Sequence, residues 1–152
     1  MIKIAHRGNY AGRNEERENS PDYIQEAIAA GYDVEVDVWL IEDDWYLGHD
    51  FPKYLIERSF LERPEIWTHA KNLVGYVSLY HNPKVHVFWH NKDEFVFTSK
   101  GIKWALTGVA TNDGIVVMPE NSFLMSEWLM NGDVVPLGIC SDDFALLEGM
   151  VI

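Results

Sequence analysis

Over the first eighty residues the apolar positions change period several times. Residues 3–5 alternate like a short strand that runs into His6-Arg7-Gly8, and residues 10–19 are polar and glycine-bearing, like a loop. Ser20-Pro21-Asp22 predicts a helix start. It offers a hydroxyl to cap, a proline that fits the first turn, and an acid at the positive end of the helix dipole. Ile24, Ala27 and Ile28 recur at helical spacing until Gly31, which predicts the stop. Residues 34–40 predict a second strand. Asp43-Asp44 predicts a turn into Trp45-Tyr46-Leu47, and Gly48 releases the chain at His49. Residues 66–70 predict a third strand, and residues 73–80 a helix that stops before Pro83.

Beyond this point the texture changes. Residues 85–89, 94–98, 103–105, 115–118 and 137–140 each predict a short strand. Residues 119–122 open a helix through Trp128, with Gly132 past its end, and Asp142-Asp143 precede a last helix over 145–147. The early order of strand, helix, strand, strand, helix, strand predicts a parallel α/β sheet. The later gaps are too short to hold a helix each. No repeat, low-complexity tract or linker divides the chain, so a single domain over residues 1–152 is expected.

Composition narrows the picture. Hydrophobic residues make up 47 % of the chain, enough for a real core, and aromatic residues 13 %, a large payload for a small one. The 24 acids against 12 bases leave a formal charge of −12, which repels phosphate backbones and anionic bilayers. Nucleic acid is therefore not an expected partner. No apolar window is long enough for a membrane span, and the opening MIKIAHRG carries no charged-then-apolar leader, so a cytoplasmic location is expected. Cys140 is the only cysteine, which rules out an internal disulfide or a cysteine zinc site.

The stretch DVEVDVWLIEDDWYLGHD carries the chemistry. Side chains two apart on a strand share a face, so Glu35 and Asp37 point the same way between Val34, Val36 and Val38. Two like charges on one face repel unless a cation lies between them, and paired oxygen donors suit Mg²⁺, Ca²⁺ or Mn²⁺. The ordinary alternative is the solvated face of an edge strand. His6-Arg7-Gly8 leaves the first strand at its carboxyl end, where parallel α/β sheets bind ligands. Arg7 offers a planar fork for phosphate oxygens. His6 and His49 are imidazoles, a side chain whose unperturbed pKa of about 6.5 suits a general acid and a general base.

IAHRG, then REN at residues 17–19, then VEVDV, then GHD resembles the amino-terminal signature of the glycerophosphodiester phosphodiesterases, a metal-dependent β/α-barrel family related to the phospholipase-C-like phosphodiesterases. The resemblance spans residues 4–50. It returns at WTHAKN, residues 67–72, and faintly at GICSD, residues 138–142. Such a barrel takes about 250 residues, so the fold implied here is α/β, a compact or truncated TIM-type β/α barrel with fewer helices than strands. By position, His6 and His49 correspond to the acid/base pair, and Arg7 and Lys71 to the phosphate-binding cations. Glu35 and Asp37 correspond to metal ligands, and Glu18 to a supporting acid on the first loop. His69 stands where the family carries a third carboxylate ligand, and it shares a face with Lys71.

The resemblance implies a metal-dependent phosphoric diester hydrolase of lipid metabolism, acting on a small glycerophosphodiester-like substrate. The implied cofactor is a divalent cation, Mg²⁺ first, with Ca²⁺ or Mn²⁺ as alternatives. A cyclising lyase would use the same site with a different nucleophile. A non-catalytic module binding a phosphoryl ligand or a protein is the other reading, and the shortened chain and His69 argue for it. Of the remaining candidates, His81, His86 and His90 read as loop and strand-end residues and Trp104 as core. Glu120 reads as the end of a strand, with an added metal or substrate contact as its lesser reading. Asp142 reads as an orienting group for an imidazole or Arg7, or as a helix cap. A barrel short of helices bares apolar strand faces, at 85–90 in particular, so a homodimer is expected.

Overall fold

The computed structural model describes residues 1–148, so the last four positions of the single domain read from the sequence lie outside the described residues. Ten strands and four short α-helices form. The first part of the chain holds β1 (Ile2–His6), α1 (Pro21–Ala29), β2 (Asp33–Ile41), β3 (Asp44–Leu47), β4 (Tyr54–Ile56), β5 (Ile66–Ala70) and α2 (Leu73–Tyr80). Then come β6 (His86–Phe88), β7 (Phe95–Phe97), β8 (Lys103–Ala105), β9 (Gly114–Val117), α3 (Phe123–Asn131), β10 (Gly138–Ser141) and α4 (Phe144–Leu147).

Helix starts follow their local chemistry. The Ser20 side chain accepts from the Tyr23 amide, Asn72 caps α2 through the Gly75 amide, Ser122 caps α3 through the Met125 amide, and Asp143 caps α4 through the Ala145 amide. Gly132 closes α3 in the left-handed conformation at φ 75°.

The expected TIM-type barrel does not form. The strands make one mixed, curled sheet, a half-barrel ordered β4-β3-β2-β1-β10-β9-β8-β7, with β5 and β6 continuing from the other edge of β2. β2 is long enough to serve three neighbours: β1 along 33–35, β5 along 34–38 and antiparallel β3 along 38–41. Pairs from β6 through β5, β2, β1, β10 and β9 to β8 are parallel, whereas β3–β4 and β7–β8 turn back on themselves. The cause lies in the connections. A parallel return needs a crossover of a dozen or so residues, and the gaps after Leu47 and Phe88 hold only turns, so the chain adds antiparallel strands there instead of helices.

β6 and β8 leave a seam. Among the described residues β6 has β5 as its only strand partner. Its far edge is met by a turn: the Ser99 amide donates to the Val87 carbonyl at 2.7 Å, and the Val87 amide to Ser99 Oγ at 3.0 Å.

Alternation sorts the strands into two cores. Val34, Val36, Val38, Val85 and Val87 face outward and pack with Ile24, Ala27 and Leu79 of α1 and α2. The outer face of β6, expected to be bare, is therefore buried. Inside the curl lie Ile4, Trp67, Phe88, Trp104, Ile115 and Val117. An aromatic stack fills this interior: Trp67 on His86 at 3.9 Å between ring centroids, Trp104 on Trp67 at 5.8 Å, Phe88 on Trp104 at 4.4 Å and His69 on Phe88 at 5.1 Å.

His86 was read as a strand-end histidine; it is buried, with Nε2 2.7 Å from Thr98 Oγ1. Burial, with the charge of Lys100 second, pushes its pKa down to about 4. A folded pKa below the unfolded 6.5 means the native state resists protonation. The stabilisation is complete above pH 6.5 and is lost as pH falls toward 4. With allowance for solvent screening we expect a loss of about 2 kcal/mol across this window. Urea unfolding at the two ends of the window tests it: the acid loss should shrink in His86→Gln.

Candidate active site

β1 ends in a sharp exit. Arg7 adopts the left-handed conformation at φ 55° and Gly8 follows at φ 92°. The Arg7 amide donates to the Glu35 carbonyl at 2.9 Å, and the Arg7 carbonyl accepts from the Asn19 amide at 2.9 Å. The turn is thus clamped to β2 and to the end of the first loop. It aims the guanidinium at two acids: Arg7 Nη1 donates to Glu18 Oε2 at 3.0 Å, and Arg7 Nε lies 3.1 Å from Asp37 Oδ2. Glu18 Oε1 also accepts from Asn9 and Arg13.

Glu35 and Asp37 face the concave interior as alternation predicts, yet they are buried, not solvated. His69 reaches them from β5. Its Nδ1 lies 3.2 Å from Asp37 Oδ1 and 3.8 Å from Glu35 Oε1, and Lys71 Nζ lies 3.6 Å from Asp37 Oδ1. One donor atom from each of Glu35, Asp37 and His69 falls within 4.8 Å of the others. Burial and the charge of Asp37 raise the pKa of Glu35. Burial alone would raise Asp37 too, but His69, Arg7 and Lys71 outweigh it and hold that carboxyl below the usual carboxylate range.

Two hydrogen bonds set the tautomers. A carbonyl oxygen only accepts, so His69 Nε2, 3.0 Å from the His90 carbonyl, carries a proton. The Nδ1 facing the two acids then holds either a second proton or a lone pair free for a cation. His6 Nδ1 donates to Asp142 Oδ1 at 2.8 Å, leaving Nε2 3.9 Å from Glu35 Oε2. Burial lowers the His6 pKa, but the Asp142 bond and the Glu35 charge overcome it, and the net shift is upward.

His49 arrives on a glycine turn. Gly48 sits at φ 152°, where a Cβ would come within 2.1 Å of the Phe51 carbonyl, so no other residue fits. Trp39 Nε1 donates to the Gly48 carbonyl at 2.7 Å, and the Gly48 amide to the Asp37 carbonyl at 3.1 Å. These bonds carry His49 to the same cavity as His6. His6, Arg7, Glu35, His49 and His69 line one cavity of about 260 Å³, whose far wall is Phe88, Trp104, Leu106 and Val117. Asp37, Lys71 and Glu18 stand just behind it, held by the ion pairs above. Five of the eight candidate site residues thus line the cavity, and the other three are tied to them through ion pairs.

Some residues of the site were missed or left open by sequence reasoning. Asp142 is the orienting group for His6, and Asp143, not Asp142, caps the last helix. Glu120 is not among the residues that line the cavity. Its Oε1 accepts from Ser141 Oγ at 2.6 Å and from the Asp142 amide at 3.1 Å, fixing the turn that carries Asp142. Trp104 is buried as expected and also lines the cavity. Asn19 was quoted only as the end of REN, yet it is fully buried and embraces Asp37: Nδ2 donates to Oδ2 at 3.0 Å, and Oδ1 accepts from the Asp37 amide at 2.9 Å. Its signal was local. An asparagine before a capping serine suits a left-handed position, and Asn19 has φ 62°. Asn19→Ala strands a buried amide and is expected to cost about 1–3 kcal/mol, measurable by denaturant unfolding.

No protein-family model, curated protein or solved structure matches the chain.

Proposed function

We propose that the chain is a metal-dependent phosphodiester hydrolase of the glycerophosphodiester phosphodiesterase type, acting on a small diester. The observation that carries this reading is the convergence of Glu35, Asp37 and His69 with Arg7 and two imidazoles on one cavity. The donor set fits a divalent ion, since Glu35 Oε2 and Asp37 Oδ1 are buried acceptors with no hydrogen bond. Glu35, Asp37 and His69 would hold such a dication, which would supply Lewis-acid polarisation of a phosphoryl oxygen.

The chain's own groups do the rest. Arg7 is fixed by Glu18 and Asp37, so it meets a phosphoryl oxygen without reorganising, and Lys71 adds a second positive charge behind it. Asp142 holds His6 by Nδ1 and favours its protonated form. His6 therefore serves as the acid that delivers the Nε2 proton to the departing alkoxide. His49, on the same cavity, takes the proton of the attacking water or of a substrate hydroxyl. The volume of about 260 Å³ suits a headgroup-sized diester.

The test is ion-dependent release of alcohol from a panel of glycerophosphodiesters, with product analysis to separate hydrolysis from cyclic phosphate formation. No turnover with any ion, together with retained binding of inorganic phosphate, would turn the assignment to a phosphoryl-binding module.

Among the described residues no helix is long and apolar enough to cross a membrane. α2 has no charged side chain, yet Leu73, Val74, Val77 and Tyr80 are largely exposed. An exposed apolar face without a charge needs cover, and we assign that face to a second copy of the chain. Light scattering at physiological salt should give twice the chain mass; a one-chain mass at micromolar concentration would end this assignment.

A further inference from the structure

We infer that the donor set selects a first-row transition dication, of the Mn²⁺ to Zn²⁺ class, over Mg²⁺ and Ca²⁺, and that His69 with its two cationic neighbours is the selecting device. This rests on the metal-dependent reading above and gives it a class of ion.

Ligand chemistry comes first. Mg²⁺ and Ca²⁺ are held by oxygen, and imidazole nitrogen adds little for them. The same nitrogen favours the later first-row dications. One of the three converging donors here is imidazole Nδ1.

That nitrogen is also aimed. The ring proton on Nε2 is committed to the His90 carbonyl at 3.0 Å, and the ring lies 5° from parallel to Phe88 at 5.1 Å. Both contacts turn Nδ1 toward Asp37 Oδ1 and Glu35 Oε1, at 3.2 and 3.8 Å. Two ligands about 2.0–2.2 Å from one ion lie at most about 4.4 Å apart, so both spacings are compatible with shared coordination. A backbone carbonyl behind the remote ring nitrogen is the usual outer support of a metal-bound histidine.

Charge balance decides against the hard ions. The site offers two carboxylates. Arg7 Nε sits 3.1 Å from Asp37 Oδ2 and Lys71 Nζ 3.6 Å from Asp37 Oδ1, so both fixed cations answer Asp37, Arg7 sharing its charge with Glu18, and Glu35 faces only the two imidazoles. The nearby acids are committed elsewhere: Glu18 to Arg7, Asn9 and Arg13, and Asp142 to His6 and Asn9. A hard dication, bound by net negative charge, finds only one carboxylate, Glu35, without a fixed cation beside it. An ion that gains from the metal–nitrogen bond does not depend on that charge.

The experiment uses the whole metal-stripped chain without substrate. Mn²⁺, Zn²⁺, Mg²⁺ and Ca²⁺ are each titrated by calorimetry, and Glu35→Gln serves to subtract ions on surface histidines. One site is expected, binding Zn²⁺ and Mn²⁺ at least about tenfold tighter than Mg²⁺. His69→Glu supplies a third carboxylate and should close or invert that ratio. Because His69→Glu could misfold, pulsed electron paramagnetic resonance of the Mn²⁺-loaded unmodified chain gives a second readout, in which coupling to one directly bound imidazole nitrogen is expected. Mg²⁺ binding as tight as Mn²⁺, no nitrogen coupling, or an unchanged ratio in folded His69→Glu would overturn the selectivity while leaving a metal-dependent enzyme intact. No Glu35-dependent binding of any ion at millimolar concentration would remove both.

Discussion

His6→Ala is expected to slow hydrolysis of an unactivated diester by about 10²–10⁴, the usual contribution of a positioned general acid. The loss should shrink on a nitrophenyl diester, whose leaving group departs without a proton. Equal losses on both substrates would rule out the acid role. Asp142→Asn tests the same assignment through pH. The Asp142 bond is the largest influence holding the His6 pKa up, with Glu35 next, against burial that lowers it. An acid works only below its pKa, so the alkaline limb of the kcat/KM profile reports His6. Without the Asp142 charge that limb should move to lower pH. In stability the sign is the same: a folded pKa raised above the unfolded 6.5 stabilises fully below 6.5, and the gain fades as pH rises through the folded value.

Phe88→Ala is expected to cost about 3–5 kcal/mol, the range for emptying an aromatic position in a packed core. The ring is 1 % exposed and stands between His69 and Trp104, so its loss opens the centre of the stack. The effect should reach the site, because the His69 ring loses the surface that fixes its plane. Urea unfolding gives the first quantity and ion titration the second. A cost under about 1 kcal/mol would mean that the interior collapses around the gap and that the stack is not what sets its shape.

The reach of the sequence can be judged from particular elements. α1 was legible from Ser20 to Gly31 because its cap, proline and stop are local devices. The shared face of Glu35 and Asp37 was legible because strand alternation has no other solution. Their burial was not, since it depends on how far the sheet curls. The barrel was the wrong outcome for a related reason. Strand positions near 95, 103 and 115 were found, but direction is set by what a connection can span, and β7 returns antiparallel to β8. β3 and β4 escaped as strands because Trp45-Tyr46-Leu47 and Tyr54-Leu55-Ile56 are too short to show a period. His86 was misread because its partners, Trp67 and Thr98, lie on other elements. Asp142 was left between two roles for want of a distance: only the β1–β10 pairing brings it to His6.

The seam between β6 and β8 bears on how such a molecule can change over generations. A register-bound strand tolerates no added residue, because one insertion turns every later side chain to the opposite face. Residues 91–93 lie outside any strand and are exposed, and Asn91 already reaches the cavity wall. Extra sequence accepted there would disturb no ladder and would lie over the cavity mouth. The turn that meets β6 through Ser99 holds its edge from the other side of that loop, so the sheet would keep its curl while the loop lengthened. Descent with insertion at this point would reshape the entrance to the cavity while the residues that line it stay in place.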